Sequence, residues 1–246
     1  MHQPVVAIVQ ARMTSTRLPG KVLKEICGQP ALQQMLQRVR KSISIQTIVV
    51  ATTTNKEDDP IVHLCDSLGV HTFRGDEFDV LGRYLAAAQE AKAKSIVRLT
   101  GDCPMIDPMV IDEVVWKYLN GSFDYVSNCN VRTFPDGLDV EVFSYEALAE
   151  AAHYAVEPFS REHVTPYIRG IHTDVKSGEF KQGDVIYSTD LSHIRWTLDT
   201  QFDLSRIREL FDLLPTDFSW LDALSLATKR PALLGIKNLS FCKSGK

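Results

Sequence analysis

The sequence predicts an α/β domain: a mostly parallel sheet with helices on both faces. Two observations predict it. Short apolar runs alternate with longer amphipathic segments through the first half of the chain, the rhythm of strand–helix–strand crossovers. Polar loops rich in Gly, Pro and Asp follow those runs, where an open sheet places its ligands.

The elements follow in order. Residues 5–9 form a short apolar run bounded by polar residues, which reads as a buried strand. A helix is expected from Pro30 or Ala31 to Lys41, with Pro30 suited to its first turn. Residues 47–51 form the second strand. Asp59-Pro60 opens the next helix and Gly69 stops it. A short strand at 71–74 precedes an alanine-rich helix over 79–92. The strand at 95–100 ends in Gly101-Asp-Cys-Pro104, and Asp107-Pro108 opens a capped helix that ends before Asn120-Gly121. Residues 124–127 form a further strand. Right-handed crossovers between parallel strands gather the loops after these strands along one edge.

The rhythm changes after Asn128. Residues 138–143 alternate apolar and acidic side chains, a strand pattern with one charged face. Ser144 is placed to cap a helix of about ten residues. A second helix holds Arg161-Glu-His163, and Pro166 kinks or ends it. Residues 184–190 and 193–198 read as strands, and amphipathic helices follow over 203–213 and 220–227. The lysines of the tail from Lys237 read as solvated.

Bulk properties exclude several classes. The 246 residues, 44% of them hydrophobic, suit one α/β domain. A net charge of -4 and the lack of a basic stripe argue against nucleic-acid binding. The five cysteines are scattered with no Cys-x-x-Cys, which reads as reduced thiols in a cytoplasmic protein. No apolar run approaches the roughly 18 residues of a membrane span, and the N-terminus shows no signal-peptide pattern.

The loop Gln10-Ala-Arg-Met-Thr-Ser-Thr-Arg-Leu-Pro-Gly-Lys21 carries the most chemistry. Arg12, Arg17 and Lys21 are permanent cations at the carboxyl end of a strand, with Thr14 and Ser15 between them. A polyphosphate would satisfy all three: Arg supplies a planar fork and Lys a compact charge. A solvated basic loop is the competing reading, and the Pro19-Gly20-Lys21 closure weighs against it. A Walker A loop is excluded, because Ser15 and Val22 stand where it needs Gly and Ser or Thr.

Asp102 follows a strand on the same edge. It either neutralises the cations or binds Mg2+, which takes one or two carboxylates together with phosphate oxygens. Asp199, which follows the apolar run 193–198, is the expected second ligand, and Asp203 the N-cap of the next helix. Cys103 reads as a packing residue, and His63 and Cys65 diverge too far on a helix to share a metal. Asn128, Asp136, Asp139, Glu141, Arg161 and His163 are candidates for an acceptor pocket. Arg161 or His163 would meet a carboxylate or phosphate, and His163 could act as a general base. A solvated strand face or dimer contacts remain the alternative for Asp139 and Glu141.

The basic loop resembles the signature of the cytidylyltransferase superfamily. So do Phe73-Arg-Gly-Asp76, Arg98-Leu-Thr-Gly-Asp-Cys-Pro104, Pro135-Asp-Gly-Leu-Asp-Val-Glu-Val-Phe143, Arg161-Glu-His-Val-Thr-Pro-Tyr167 and Trp196-Thr-Leu-Asp-Thr200. The chain is most similar to the spore-coat polysaccharide biosynthesis F branch, related to the acylneuraminate and 3-deoxy-manno-octulosonate enzymes. The resemblance implies a Rossmann-like three-layer α/β/α fold of the nucleotide-diphospho-sugar transferase type. It implies a single nucleotidyltransferase domain over 1–246, with an acceptor-binding and dimerisation lobe at about 129–190, and a homodimer. The implied reaction is CMP transfer from CTP to a sugar acid with release of pyrophosphate, in surface polysaccharide synthesis, with Mg2+ as cofactor. The resemblance places Ala11, Arg12, Ser15, Arg17 and Lys21 on the nucleotide, with Arg74 and Arg83 in its pocket. Asp102 and Asp199 match the metal ligands, and Arg12, Lys21 and Asp102 are the expected catalytic group. Two alternatives stand beside this. A glycosyltransferase of the same general fold usually carries Asp-x-Asp, and Asp102-Cys-Pro104 lacks the second Asp. A non-catalytic nucleotide-binding module would not need all three loop cations and both aspartates.

Overall fold

The structure is a computed structural model, and it describes residues 4–171 and 179–236. In chain order the strands are β1 (Val5–Gln10), β2 (Glu25–Ile26), β3 (Gln29–Pro30), β4 (Thr47–Thr53), β5 (His71–Gly75), β6 (Ser95–Thr100), β7 (Tyr125–Ser127), β8 (Glu141–Ser144) and β9 (Gln182–Asp184). The helices are α1 (Ala31–Val39), α2 (Asp59–Ser67), α3 (Val80–Glu90), α4 (Pro108–Asn120), α5 (Tyr145–Tyr154), α6 (Pro158–His163), α7 (Pro166–Arg169), α8 (Gln201–Leu213) and α9 (Trp220–Lys229).

Seven strands form one sheet in the order β5-β4-β1-β6-β8-β7-β9, and β2 with β3 makes a small hairpin. The sheet is mostly parallel; β8 alone of its described strands runs against its neighbours. Alternation along β1 sets the three layers. Val5, Ala7 and Val9 pack with α1, α4 and α8 on one face. Val6 and Ile8 pack with α3 and α5 on the other. Each fully buried Val or Ile side chain here contributes about 1.5–3 kcal/mol. No helix among the described residues is long and apolar enough to cross a membrane.

Two polar groups tie the layers together. The Tyr84 hydroxyl lies 3.1 Å from the carbonyls of both Ile8 and Leu99, fixing α3 against β1 and β6. Buried Arg38 donates to the Ile106 and Phe218 carbonyls at 2.6 and 3.2 Å, joining α1 to the start of α4 and the approach to α9.

The capped starts of α4 and α5 match the sequence expectation, with the side chains of Asp107 and Ser144 accepting from the first turn. Asp79 precedes α3 as its cap and is not its first residue, and α2 takes Asp59 as its first residue after Asp58, whose side chain makes no cap bond. The second half of the chain brings corrections. The strand expected at 138–143 begins only at Glu141. Before it, the Asn128 side chain bonds the Leu138 carbonyl and the Val140 amide at 2.8 Å each, which replaces ladder bonding by side-chain bonding. Gly137 needs its φ of 109°, and a Cβ there would meet the Trp196 backbone at 2.8 Å.

Of the strand expected at 184–190, only Asp184 belongs to β9. The chain beyond it is held by Thr133, which bonds the amides of Tyr187 and Leu191. Residues 193–198 are not a ladder strand either. Their amides bond scattered partners, Arg195 to Leu234 and Trp196 to Asp136, and the segment passes beside the sheet ends. Thr200 rather than Asp203 is the N-cap of α8; Asp203 sits three residues later and completes a capping box. The break after α6 falls at Val164, with φ 69°, and Pro166 opens α7. The expectation for the tail from Lys237 lies outside the described residues.

Candidate active site

The carboxyl ends of β1 and β6 bound a cleft of about 260 Å3. Close approach of the two strands requires Gly101, whose amide donates to the Gln10 carbonyl at 2.8 Å. A Cβ at Gly101 would come within 2.9 Å of that carbonyl oxygen. The basic loop covers one side of the cleft and is pinned at two places. Buried Asp58 accepts from the Met13 amide at 2.7 Å. Gly20, with φ 67°, returns its amide to the Met13 carbonyl at 2.9 Å.

Ala11, Arg12, Ser15, Arg17, Lys21, Arg83 and Asp102 all line this cleft, with Glu162 and His163 on its wall. Arg83 is buried, donates to the Asp76 carbonyl at 2.7 Å, and leaves its Nε without a hydrogen-bond partner. Burial, reinforced by the charge of Arg12, holds its pKa below the ordinary arginine value. Glu77 accepts from the Thr14 hydroxyl at 2.6 Å and lies 3.4 Å from Arg12, steadying the outer part of the loop.

The charged centre is Lys21. Its ammonium lies 2.7 Å from Asp102 Oδ2 and 2.7 Å from Asp199 Oδ1. Arg17 reaches the same Asp199 oxygen at 2.8 Å. Arg195 holds the other oxygen of Asp199, and pairs with Asp136 at 3.1 Å. Burial works against the Lys21 charge, but Asp102 and Asp199 outweigh it and raise its pKa. Burial likewise opposes the Asp199 charge, and Lys21 and Arg17 overcome it, so that carboxyl sits below its ordinary value.

Two carboxylates that converge on one cationic nitrogen are hard oxygen donors spaced for a shared cation, which fits Mg2+ or Mn2+. Among the described residues no group of three or more His, Cys, Asp or Glu side chains is arranged to hold a metal. Further ligands would therefore come from elsewhere, and Mg2+ commonly takes them from phosphate and water. Cys103 is buried beside Asp102; burial and that carboxylate push its thiol well above the ordinary value, so it is no nucleophile. Burial pushes the Cys65 thiol up to about 12.

The other expected site residues are dispersed. Arg74 is not in the cleft: it pairs with Asp59 and donates to the carbonyls of Thr53 and Asn55, bracing the connection from β4 to α2. Arg161 pairs with Asp79 and donates to the Ala152 carbonyl, locking α6 onto α3 and α5. Asn128 is spent on the backbone of residues 138–140, and Asp136 on Arg195 and Arg132. Asp139 and Glu141 line a second cavity of about 130 Å3 with Arg98, Arg132 and Arg169. Thr100 lines both cavities, so they adjoin. Glu141 is fully engaged there by Arg98, Tyr125 and Thr165.

Sequence reasoning missed Asp58, Glu77, Arg98, Arg169 and Arg195. The quoted motifs contained Arg98, but its spacing gave no sign that it faces Glu141.

A family model described as Cytidylyltransferase matches residues 6–232. An uncharacterised protein of Methanocaldococcus jannaschii is 38% identical over 95% of this chain and 94% of its own. The spore coat polysaccharide biosynthesis protein SpsF of Bacillus subtilis is 34% identical over 84% of this chain and 86% of its own. A solved cytidylyltransferase of Leptospira borgpetersenii is 34% identical, with TM-score 0.89 over 97% of this chain and 99% of that one. A solved CMP:2-keto-3-deoxy-manno-octonic acid synthetase, in complex with CTP, shares the fold at TM-score 0.62 and 15% identity, over 85% of this chain and 98% of that one.

Proposed function

The chain belongs to the cytidylyltransferase family, and on that premise we propose that it transfers CMP from CTP to a sugar acid, releasing pyrophosphate in surface polysaccharide synthesis. The observation that carries the reading is the convergence of Arg17 and Lys21 with Asp102 and Asp199 at one sheet edge. The triphosphate lies along the basic loop, where Arg12, Arg17 and Lys21 take its oxygens. Ala11 and Gly101 allow the nucleotide close to the backbone, and Arg83 closes the inner wall.

A hydroxyl of the acceptor attacks the α-phosphorus. The new oxygen–phosphorus bond forms as the bond to the bridging oxygen breaks, and the electron pair leaves with pyrophosphate. Lys21 and the two loop arginines stabilise that growing negative charge, the main demand of such a transfer. A divalent cation, Mg2+ in this reading, would be held by Asp102 and Asp199 and would supply further charge neutralisation at the phosphates. Glu162 and His163 are the cleft-wall groups suited to receive the hydroxyl proton.

The acceptor occupies the second cavity, across Thr100 from the nucleotide. Arg169 lines that cavity, its Nε donating to Asn130 Oδ1 at 2.6 Å, and it is the cation that meets the acid group of the acceptor in this reading. Residues 1–246 act as one catalytic domain, with the segment around 129–190 serving acceptor binding and assembly. Exposed Tyr154, Val156 and Phe159 near α5 and α6 support a homodimer.

The test incubates the protein with each nucleoside triphosphate, Mg2+ and a panel of keto-sugar acids, and follows pyrophosphate. Release that requires both CTP and an acceptor supports the proposal. Transfer from a preformed nucleotide sugar, or nucleotide binding without turnover, contradicts it.

A further inference from the structure

Asp199 is held by two kinds of cation. Arg195 grips Oδ2 and is itself fixed, by its ion pair with Asp136 at 3.1 Å and by its amide bond to the Leu234 carbonyl at 3.0 Å. Among the described residues, Oδ1 is held by the basic loop alone: by Arg17 at 2.8 Å and Lys21 at 2.7 Å, the latter also 2.7 Å from Asp102 Oδ2. The Arg17 side chain is 62% exposed, so it swings away at little cost. The oxygens that face a shared cation are therefore covered by the two loop groups suited to phosphate.

We infer that the metal site is gated by the nucleotide: Lys21 and Arg17 are its resident counter-ions, and it opens to a divalent cation when a triphosphate draws both onto phosphate oxygens. This rests on the proposed placement of the triphosphate along the loop. The charges balance, because two monovalent cations leave the carboxylates as one divalent cation arrives. With the loop cations in place, a dication meets an aspartate that already has three positive neighbours, and like charges disfavour its entry. Arg195 stays throughout and keeps Asp199 ionised and oriented. By linkage, whatever draws Lys21 away raises the metal affinity, and metal in turn raises nucleotide affinity by the same factor.

CTP chelates divalent cations itself, so the decisive measurement contains no nucleotide. Mn2+ is titrated into wild type, K21M, R17Q and K21M/D199N, and bound metal is read by electron paramagnetic resonance. The expected result is roughly tenfold or more tighter Mn2+ binding in K21M than in wild type, a smaller gain in R17Q, and loss of the gain in K21M/D199N. Equal Mn2+ affinity in wild type and K21M, or a gain that survives D199N, overturns the inference. Should K21M fail to fold by circular dichroism, R17Q decides alone: its mostly solvated side chain makes it safe, and unchanged Mn2+ affinity there overturns the inference. Because no turnover is read, a wrong nucleotide or acceptor in the proposed reaction leaves this result independent.

Discussion

The Leu198 amide donates to the Asp102 carbonyl at 2.8 Å, and this backbone hydrogen bond sets the Asp199 side chain beside Asp102. The two aspartates lie far apart in sequence, on the loop after β6 and on the approach to α8. They meet because the chain at 193–198 passes along the sheet ends and does not pair as a strand. Lys21 then bridges them.

Removing the bridge or its partner should stop the chemistry and spare the fold. Asp102→Asn and Lys21→Ala are each expected to lower turnover about 10²- to 10³-fold, the scale of losing one charge-stabilising group. A circular dichroism spectrum close to wild type should accompany the loss, with a lowered urea midpoint for Lys21→Ala because Asp199 and Asp102 lose an ion pair. Near-normal rates in folded variants would show that the site lies elsewhere.

Arg195→Met should act through Asp199. Arg195 holds Asp199 and Asp136 at once and lies 3.8 Å from Asp203. Each of those carboxylates keeps another cation, Asp199 its Lys21 and Arg17, Asp136 its Arg132 and Asp203 its Arg206, so losing the Arg195 contacts should cost roughly 1–3 kcal/mol of stability, read from urea unfolding. Turnover should fall as well, because Asp199 loses its orientation. A variant as stable and as active as wild type would contradict the positioning role.

Gly101→Ala tests the close approach of β1 and β6. The added Cβ would meet the Gln10 carbonyl oxygen at 2.9 Å and Ala11 Cβ at 3.1 Å, both rigid. Overpacking of this kind costs about 1–3 kcal/mol. The strand ends should part, raising the KM for CTP while changing kcat less. An unaltered KM would place the nucleotide away from this edge.

Acid should weaken the protein through Glu141. Burial opposes its ionisation, but the Arg98 charge and hydrogen bonds from Thr165 and Tyr125 overcome this and hold its pKa below the ordinary carboxylate value. A carboxyl depressed in the folded state stabilises the fold above its unfolded pKa, and that stability is lost as pH falls through the folded pKa. Asp199 adds a contribution of the same sign. Urea midpoints should therefore hold steady from neutral pH to about pH 5 and fall below roughly pH 4. Glu141→Gln should flatten that acid limb. It should also cost stability at neutral pH, at most about the 3–5 kcal/mol of a broken buried pair, because it removes the charge partner of the mostly buried Arg98, which keeps only its hydrogen bond to Gln10 among the described residues. An acid limb as steep as wild type would contradict the assignment.

Much of the fold was legible because its signals are local. The run at 5–9, the Asp107-Pro108 start and the Ser144 cap each carry their cause within a few residues. The site was legible where a residue directly follows a strand, as Lys21's loop and Asp102 do. Other features depend on contacts that no local pattern encodes. Asp58 grips the Met13 amide from across a loop, and Arg195 acts through Asp199. Arg74 and Arg161 look like ligand cations in sequence, yet Asp59, Asp79 and nearby carbonyls consume them. Residues 138–143 alternate as a strand does, but the Asn128 side chain takes the first bonds and shortens it. Asp199 was expected to follow a strand; it reaches the site on a segment that is not one.

The account rests on one metal–triphosphate complex seated between the basic loop and the two aspartates. A crystal structure with Mn2+ and a non-hydrolysable CTP analogue tests this most directly, since manganese is located by its anomalous signal. The account predicts a peak shared by Asp102 and Asp199, with Lys21 and Arg17 moved onto phosphate oxygens. A peak elsewhere, or Lys21 still bridging the two carboxylates beside a bound nucleotide, would contradict it.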